Sequence, residues 1–315
     1  MKPDRRLSVA VPLFNEEQGA GELIRRIGAV LDTISGGPHE MVFVDDGSSD
    51  RTFEILTEAA RRDPRVVAIS LSRNFGHQAA LSAALDHVAG DLVIVMDGDL
   101  QDPPEAIPQF VAESEKGYDV VYARRVKRKE GWLLRLSYFV FYRLIAAVSN
   151  VRLPLDSGDF SLMSRRVVDR LKEIPEHHRY LRGLRTWVGF RQTGIPIERS
   201  ERAAGQSKYS AMRLFRLAFD GIFAFSMAPL RAASLLGLAT IVGSLAFAAY
   251  AVYVKVILGK SPTGFTALIV AISLLSGVQL LVLGAIGEYL GRVYDETKGR
   301  PHYVIGRIVS SKKPD

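Results

Sequence analysis

Three acids follow a short apolar run, and their spacing could hold a divalent metal ion. The run covers residues 92–96, and Asp97, Asp99 and Asp102 come after it. Such a run is typical of a strand buried on both faces of a parallel sheet. Asp97 and Asp99 point roughly the same way if the chain stays extended, because side chains in a strand alternate. Two converging carboxylates suit Mg²⁺ or Mn²⁺.

A cation at this position could bridge the phosphates of a bound diphosphate. Open α/β sheets bind ligands at the carboxyl ends of their strands, which favours this interpretation. The alternative is a polar turn whose acids are simply solvated. Pro103 and Pro104 then end the strand and indicate the start of a helix.

Strand and helix patterns alternate four times in the first part of the chain, and a polar cluster follows each strand. This alternation predicts a mostly parallel α/β sheet with helices on both faces and with the polar clusters along one rim. No GxGxxG motif follows the first strand and no Walker motif occurs, so a dinucleotide-binding Rossmann site is not indicated. The predicted strands are 7–13, 39–45, 65–71, 92–96 and 118–123, and the predicted helices are 17–34, 50–62 and 77–89.

Composition limits the chemistry and the partners. The 315 residues contain no cysteine, which excludes disulfides and thiol catalysis. The net charge of +7 could serve nucleic acid, an anionic membrane surface or phosphorylated substrates. The charged N-terminus leads straight into the first strand, so no signal peptide is predicted.

Two long uncharged runs, 232–254 and 265–287, are each long enough to cross a bilayer. Lysine and arginine are more numerous before the first run and after the second than in the linker 255–264. The positive-inside rule then places both termini in the cytoplasm and the linker outside. The alternative is a buried helical hairpin of a soluble protein.

Residues 131–149 are apolar and aromatic but carry two arginines, which favours an interfacial helix over a membrane span. A buried core helix is the alternative. Residues 208–227 have a similar amphipathic pattern.

Six short motifs occur in order ahead of the two apolar runs, at residues 11–17, 44–50, 73–78, 96–105, 157–160 and 202–208. With these motifs the chain resembles the family 2 glycosyltransferases of GT-A fold. Within that family it is most similar to the polyprenyl-phosphate sugar transferases, such as bactoprenol glucosyltransferases and dolichol-phosphate mannose synthases. Residues 182–187, Arg-Gly-Leu-Arg-Thr-Trp, do not match the Gln-x-x-Arg-Trp motif of the processive synthases of the superfamily.

We therefore expect a cytoplasmic GT-A domain and a membrane anchor. The GT-A domain is predicted at 1–206, with the interfacial helix at 131–149, a juxtamembrane amphipathic helix at 207–231, two transmembrane helices at 232–290 and a cytoplasmic tail at 291–315. The expected location is the inner, cytoplasmic membrane.

The resemblance implies a role for individual residues. Nucleotide binding is implied for Pro12, Asn15, Glu16, Asp46 and Asp97, with Asp46 accepting from a base N–H. Metal and diphosphate binding is implied for Asp97, Asp99 and Gln101. Contact with the acceptor or diphosphate is implied for Arg124, Arg202, Ser207 and Lys208.

Asp99 and Asp159 are the implied catalytic residues. A phosphate monoester is already anionic near neutral pH, so Asp159 is expected to orient the acceptor or the sugar rather than to remove a proton. The alternative for Asp159 is a turn or helix-capping acid. His77 is expected to cap or pack at the start of its helix rather than to act as a base.

The implied enzyme is an inverting, metal-dependent glycosyltransferase. Its cofactor is Mg²⁺ or Mn²⁺, its donor a nucleotide sugar, with UDP-glucose favoured, and its acceptor undecaprenyl phosphate. Membrane lipid is an expected partner, nucleic acid is not, and a homo-oligomer such as a tetramer is left open. Two alternatives remain: a transferase acting on a glycerolipid or a soluble acceptor, and a non-catalytic scaffold that binds a nucleotide sugar in a membrane complex.

Overall fold

A computed structural model describes residues 5–125, 157–176, 179–198, 228–257 and 264–311. The chain divides into two compact units, of which one contains a sheet with its flanking helices and the other contains two long apolar helices. The described residues of the first unit form an eight-stranded sheet in the order β7-β5-β6-β4-β1-β2-β3-β8. The predicted mostly parallel α/β fold is therefore confirmed.

Where the sequence analysis predicted the bounds of a strand or a helix, the observed bounds lie close to them. The strands are β1 Leu7–Leu13, β2 Glu40–Asp45, β3 Val66–Leu71, β4 Leu92–Val95, β5 Val120–Arg125, β6 Ser157–Ser164, β7 Gln192–Ile197 and β8 Ile305–Ser310. The helices are α1 Ala20–Leu31, α2 Thr52–Arg62, α3 His77–His87, a 3₁₀ turn at Pro104–Ala106, α4 Ile107–Glu115, α5 Arg165–Glu173, α6 Leu181–Trp187, α7 Ala228–Ile257 and α8 Phe265–Thr297.

The sheet is covered on both faces. Alternate residues of the central strands belong to two separate core clusters, because successive side chains of a strand point to opposite faces. Val9 and Phe43 pack with residues of α1, α2 and α4. Ala10 and Val42 pack with residues of α3, α5 and α6. This burial on both faces explains why the strands read as unbroken apolar runs.

The order and direction of the strands bring the ends that carry the predicted site residues to one edge of the sheet. β1 is parallel to β2 and β4, and β2 is parallel to β3. β6 runs antiparallel to β4 and β5, and β5 is parallel to β7. The carboxyl ends of β1 to β5 and the amino end of β6 therefore lie at the same edge, which we call the catalytic edge.

Strand β8 was not predicted. It lies within residues 291–315, which the sequence analysis treats as a tail, and it pairs antiparallel with β3 over Val67–Leu71. It is short and mostly half-buried or exposed, so it lacks a continuous apolar run. Its partner is distant in sequence, and such pairing leaves no local signal in the sequence.

The two long helices carry the predicted membrane spans. Leu230–Ile257 and Val270–Thr297 have mean hydropathies of 2.0 and 2.1, and their most apolar windows are not buried in the protein. A helix of this length extends about 40 Å, which exceeds the roughly 30 Å hydrocarbon layer. By length and composition both helices can cross a membrane, and they support membrane association. The helices predicted at 131–149 and, for most of its length, at 207–231 lie outside the described residues.

Candidate active site

The catalytic edge brings together residues from five of the strands. Pro12 lies in the last part of β1, and Asp46 directly follows β2. Asp97 lies two residues beyond the end of β4. Arg124 is in the last part of β5, and Asp159 is near the start of β6. Arg202, Ser207 and Lys208 follow β7 and lie outside the described residues, so their roles remain predictions.

The turn after β1 is joined to the turn after β2. The backbone N–H of Asn15 donates to Ser48 Oγ at 2.9 Å, and Asn15 Oδ1 accepts from the backbone N–H of Ser49 at 2.9 Å. The backbone N–H of Glu16 donates to Thr52 Oγ1 at 2.9 Å. Asn15 adopts a left-handed conformation with φ of 55°, which asparagine tolerates better than most residues. These bonds fix the rim on which a nucleoside is predicted to bind.

Hydrogen bonds also join the turn after β2 to the residues just before α3. Asp46 is buried, and its carboxylate accepts from the backbone N–H groups of Phe75 at 2.8 Å and Gly76 at 2.9 Å. Burial raises the pKa of Asp46 above its ordinary value, although these two hydrogen bonds act in the opposite direction. Gly47 has φ of 69°, and a Cβ there would lie 2.5 Å from the backbone carbon of Arg73. Only glycine therefore allows the two loops to approach this closely.

The chain does not stay extended through the acid motif. β4 ends at Val95, and the residues around Gly98 turn back beside β1. A Cβ on Gly98 would lie 3.0 Å from the carbonyl oxygen of Pro12. The backbone N–H of Gln101 donates to Asp99 Oδ1 at 3.1 Å. Asp97 and Asp99 therefore do not share one face of a strand, and the premise of an extended chain is wrong.

His77, Asp97 and Asp159 form a cluster that could hold a metal ion. One nitrogen or oxygen atom from each lies within 4.8 Å of the others. His77 Nε2 lies 3.6 Å from Asp97 Oδ1. Imidazole nitrogen and carboxylate oxygen are both ligand atoms for divalent first-row metals. His77 is the first residue of α3, which confirms its expected position at a helix start, and its ring also lies close to Asp97.

Asp159 has a second partner that changes its role in the cluster. Arg182 Nε donates to Asp159 Oδ1 at 2.6 Å, and Arg182 Nη2 pairs with Oδ2. Burial alone would raise the pKa of Asp159, but the hydrogen bonds and charge of Arg182 lower it, with help from His77 and Arg185. Both carboxylate oxygens of Asp159 thus bind the guanidinium of Arg182. The positive charge of this guanidinium would also repel a divalent ion. Asp97 and His77 are therefore better candidates for metal ligands than Asp159.

Two arginines of α6 were not predicted as site residues. Arg182 and Arg185 lie one helical turn apart, and both act on Asp159. They were noted only within residues 182–187, which do not match the motif of the processive synthases. Their spacing, in a short helix, was the signal that could have identified them, because residues at i and i+3 share a helix face.

A comparison with known families gives a match over residues 8–172, and the matched family is described as Glycosyl transferase family 2. The chain is 43% identical to the uncharacterized glycosyltransferase YkcC of Bacillus subtilis (strain 168), over 95% of this chain and 92% of that protein. Matches of this extent include both the sheet and the long helices.

Two further relatives have more specific names. The chain is 40% identical to the prophage bactoprenol glucosyl transferase homolog of Escherichia coli (strain K12), over 96% of this chain and 99% of that protein. It is 36% identical to the undecaprenyl-phosphate 4-deoxy-4-formamido-L-arabinose transferase of Edwardsiella ictaluri (strain 93-146), over 98% of this chain and 96% of that protein.

Proposed function

Because the chain belongs to glycosyl transferase family 2, we propose that it moves a sugar from a nucleotide sugar to a polyprenyl phosphate at a membrane surface. The observation that carries this proposal is the extent of its likeness to relatives named for a bactoprenol or undecaprenyl-phosphate acceptor. These relatives match at least 96% of the chain, including the two apolar helices. Such helices suit an enzyme whose acceptor is held in lipid.

The donor is proposed to be UDP-glucose. Glucose is the sugar in the name of the relative from Escherichia coli, whereas the relative from Edwardsiella ictaluri is named for a different sugar. The nucleoside would lie against the joined turns after β1 and β2, with Pro12, Asn15, Glu16 and Asp46 nearby. Asp46 already accepts two backbone hydrogen bonds, so a base N–H would use its remaining lone pairs.

Mg²⁺ or Mn²⁺ is the proposed cofactor, with Asp97 and His77 as ligands and with Asp99 and Gln101 retained from the resemblance. When bound, such an ion stabilises negative charge on a leaving diphosphate as a Lewis acid. The chain's own residues orient the reactants around it. Asp159, paired with Arg182, stays ionised and does not take a proton from the acceptor. The acceptor phosphate is already anionic, so one of its oxygens attacks C1 of the sugar without a base. The bond from C1 to the diphosphate oxygen breaks, the nucleoside diphosphate leaves with the electron pair, and the configuration at C1 inverts.

Both termini and the sheet domain are proposed to be cytoplasmic. β8 follows α8 and pairs with β3 in the same sheet as β1 to β7. This pairing supports a topology in which the chain before α7 and the chain after α8 lie on the same side of the membrane. Two crossings satisfy this condition, and the distribution of lysine and arginine favours the cytoplasmic side.

An acceptor panel tests the proposal. Membranes containing the full chain are incubated with labelled UDP-glucose or other labelled nucleotide sugars and with undecaprenyl phosphate, a diacylglycerol or no added lipid, and the lipids are extracted. We expect lipid-extractable label that depends on the polyprenyl phosphate. Label in a glycerolipid would favour the second acceptor class. Nucleotide-sugar binding without any transfer would favour the scaffold.

A further inference from the structure

Helix α6 places Arg182 against the carboxylate of Asp159 and Arg185 beside the backbone of Gly158, at the catalytic edge. Its first turn is joined to α3, because the backbone N–H of Leu181 donates to Gln78 Oε1 at 3.1 Å. Its last turn is joined to β7, because Gln192 Nε2 donates to the carbonyl oxygen of Arg185 at 2.9 Å. Leu181 and Leu184 are buried in the core. The helix therefore holds its arginines in a fixed position.

The pair between Arg182 and Asp159 leaves part of the guanidinium available. A guanidinium has five N–H donors, and the two bonds to Asp159 use two of them. The Arg182 side chain is 25% exposed, while that of Asp159 is 9% exposed. The accessible part of the pair therefore belongs to Arg182. Its remaining N–H groups have a fixed orientation because the fork of the guanidinium is held by both carboxylate oxygens.

Arg185 adds a second positive charge behind this pair. Its side chain is buried, and its Nε has no hydrogen-bond partner among the described residues. Its Nη2 lies 3.5 Å from the carbonyl oxygen of Gly158, at the limit of a hydrogen bond. Burial lowers the pKa of Arg185 to about 10, so the group is still charged at neutral pH. Two cations thus lie close to Asp159, and the carboxylate of Asp97 also acts on Arg182. A phosphate would therefore be held by the directed N–H groups of Arg182 rather than by a net excess of positive charge.

We propose that Arg182 is a phosphate-binding residue of this site, oriented by Asp159 and reinforced by the charge of Arg185. The ligand is a phosphate group, and its source is either the diphosphate of the donor or the phosphate of the lipid acceptor. This inference rests on the proposed function for the source of the phosphate. It assigns Asp159 to anchoring Arg182 rather than to contacting the sugar or the acceptor.

Binding of UDP and of inorganic pyrophosphate to the purified full chain in detergent tests the proposal, together with the KM for undecaprenyl phosphate. Arg182→Lys keeps the charge opposite Asp159 but loses the planar fork, and Arg182→Gln removes the charge. Arg170→Gln is the matched control, because Arg170 is an exposed arginine paired with Glu173 in the neighbouring helix α5. Thermal unfolding is recorded for every variant to identify a merely structural effect.

We expect both Arg182 variants to weaken phosphate recognition at least about tenfold while the control stays within about twofold of wild type. A weaker affinity for UDP identifies the donor diphosphate as the ligand. A higher KM for undecaprenyl phosphate with unchanged UDP affinity identifies the acceptor. If folded Arg182→Lys protein retains wild-type affinity for UDP and pyrophosphate and a wild-type KM, the inference is overturned.

Failure of the proposed function would have a different signature. In that case the wild-type chain would form no glycosylated polyprenyl phosphate at all. The binding measurements with UDP and pyrophosphate would still decide whether Arg182 recognises phosphate.

Discussion

Asp46 Oδ2 accepts a hydrogen bond from the backbone N–H of Gly76 at 2.9 Å, which ties the turn after β2 to the first residue before α3. His77 follows directly and faces Asp97 at 3.6 Å. A buried acid in the loop after β2 thus helps to hold the backbone directly before a candidate metal ligand. Loss of this acid is expected to disturb both stability and metal binding.

Asp46→Ala should lower the free energy of unfolding by about 1–3 kcal/mol, because two partly buried N–H groups lose their acceptor. Asp46→Asn retains one acceptor oxygen and should lower the free energy of unfolding by less than Asp46→Ala does. Denaturant unfolding of the purified chain measures both. Equal stability of Asp46→Ala and wild type would show that water replaces the carboxylate without loss.

His77→Ala should raise the metal concentration for half-maximal sugar transfer by about tenfold, since one of the proposed ligands is lost. His87→Ala is the control, because His87 lies at the other end of α3, where its Nδ1 contacts the carbonyl oxygen of Ala83. The measurement is a titration of activity with Mg²⁺ and Mn²⁺. An unchanged titration curve for His77→Ala would remove His77 from the metal site.

The sheet could be predicted from the sequence because its strands are buried on both faces and read as apolar runs of fixed length. The ends of β1, β2 and β4 also identified most residues of the catalytic edge. Several features that depend on non-local contacts were missed. β8 pairs with a strand more than 200 residues away in the sequence. His77 lies close to Asp97, and the loop before it is hydrogen-bonded to Asp46.

Single cysteines can test the proposed topology, because the natural chain contains none. We expect a cysteine at Ser261, in the linker between the two long helices, to react with an impermeant thiol reagent in intact cells. A cysteine at Ser311, just beyond β8, should react only after the cells are permeabilised. The opposite labelling pattern would reverse the orientation of the helices.

Asp63 should stabilise the fold in a way that depends on pH. The hydrogen bonds from Arg65 lower the pKa of Asp63 below its ordinary value, against the effect of burial. Because the folded pKa is lower than the unfolded value of about 3.9, the ionised group stabilises the folded state above that pH. This stabilisation is lost as the pH falls through the folded pKa.

Asp63→Asn is therefore expected to lower the free energy of unfolding by up to about 1 kcal/mol at pH 7. The difference in the free energy of unfolding between Asp63→Asn and the wild-type chain should become smaller below about pH 4. Glu58→Gln serves as the control, because Glu58 forms an exposed ion pair with Arg62 within α2, the helix that ends just before Asp63. A constant difference between wild type and Asp63→Asn down to pH 2 would contradict the assignment.

The most direct test of the account is the amount of lipid-extractable sugar that the purified chain forms from a labelled nucleotide sugar and undecaprenyl phosphate, compared with Asp97→Asn. We expect the wild-type chain to form a polyprenyl-phosphate sugar in a metal-dependent reaction. We expect folded Asp97→Asn to lose at least about 100-fold of this activity, which corresponds to roughly 2.7 kcal/mol in the transition state. These expectations would be contradicted if Asp97→Asn, assayed with EDTA, transferred sugar at close to the rate of the wild-type chain assayed with metal.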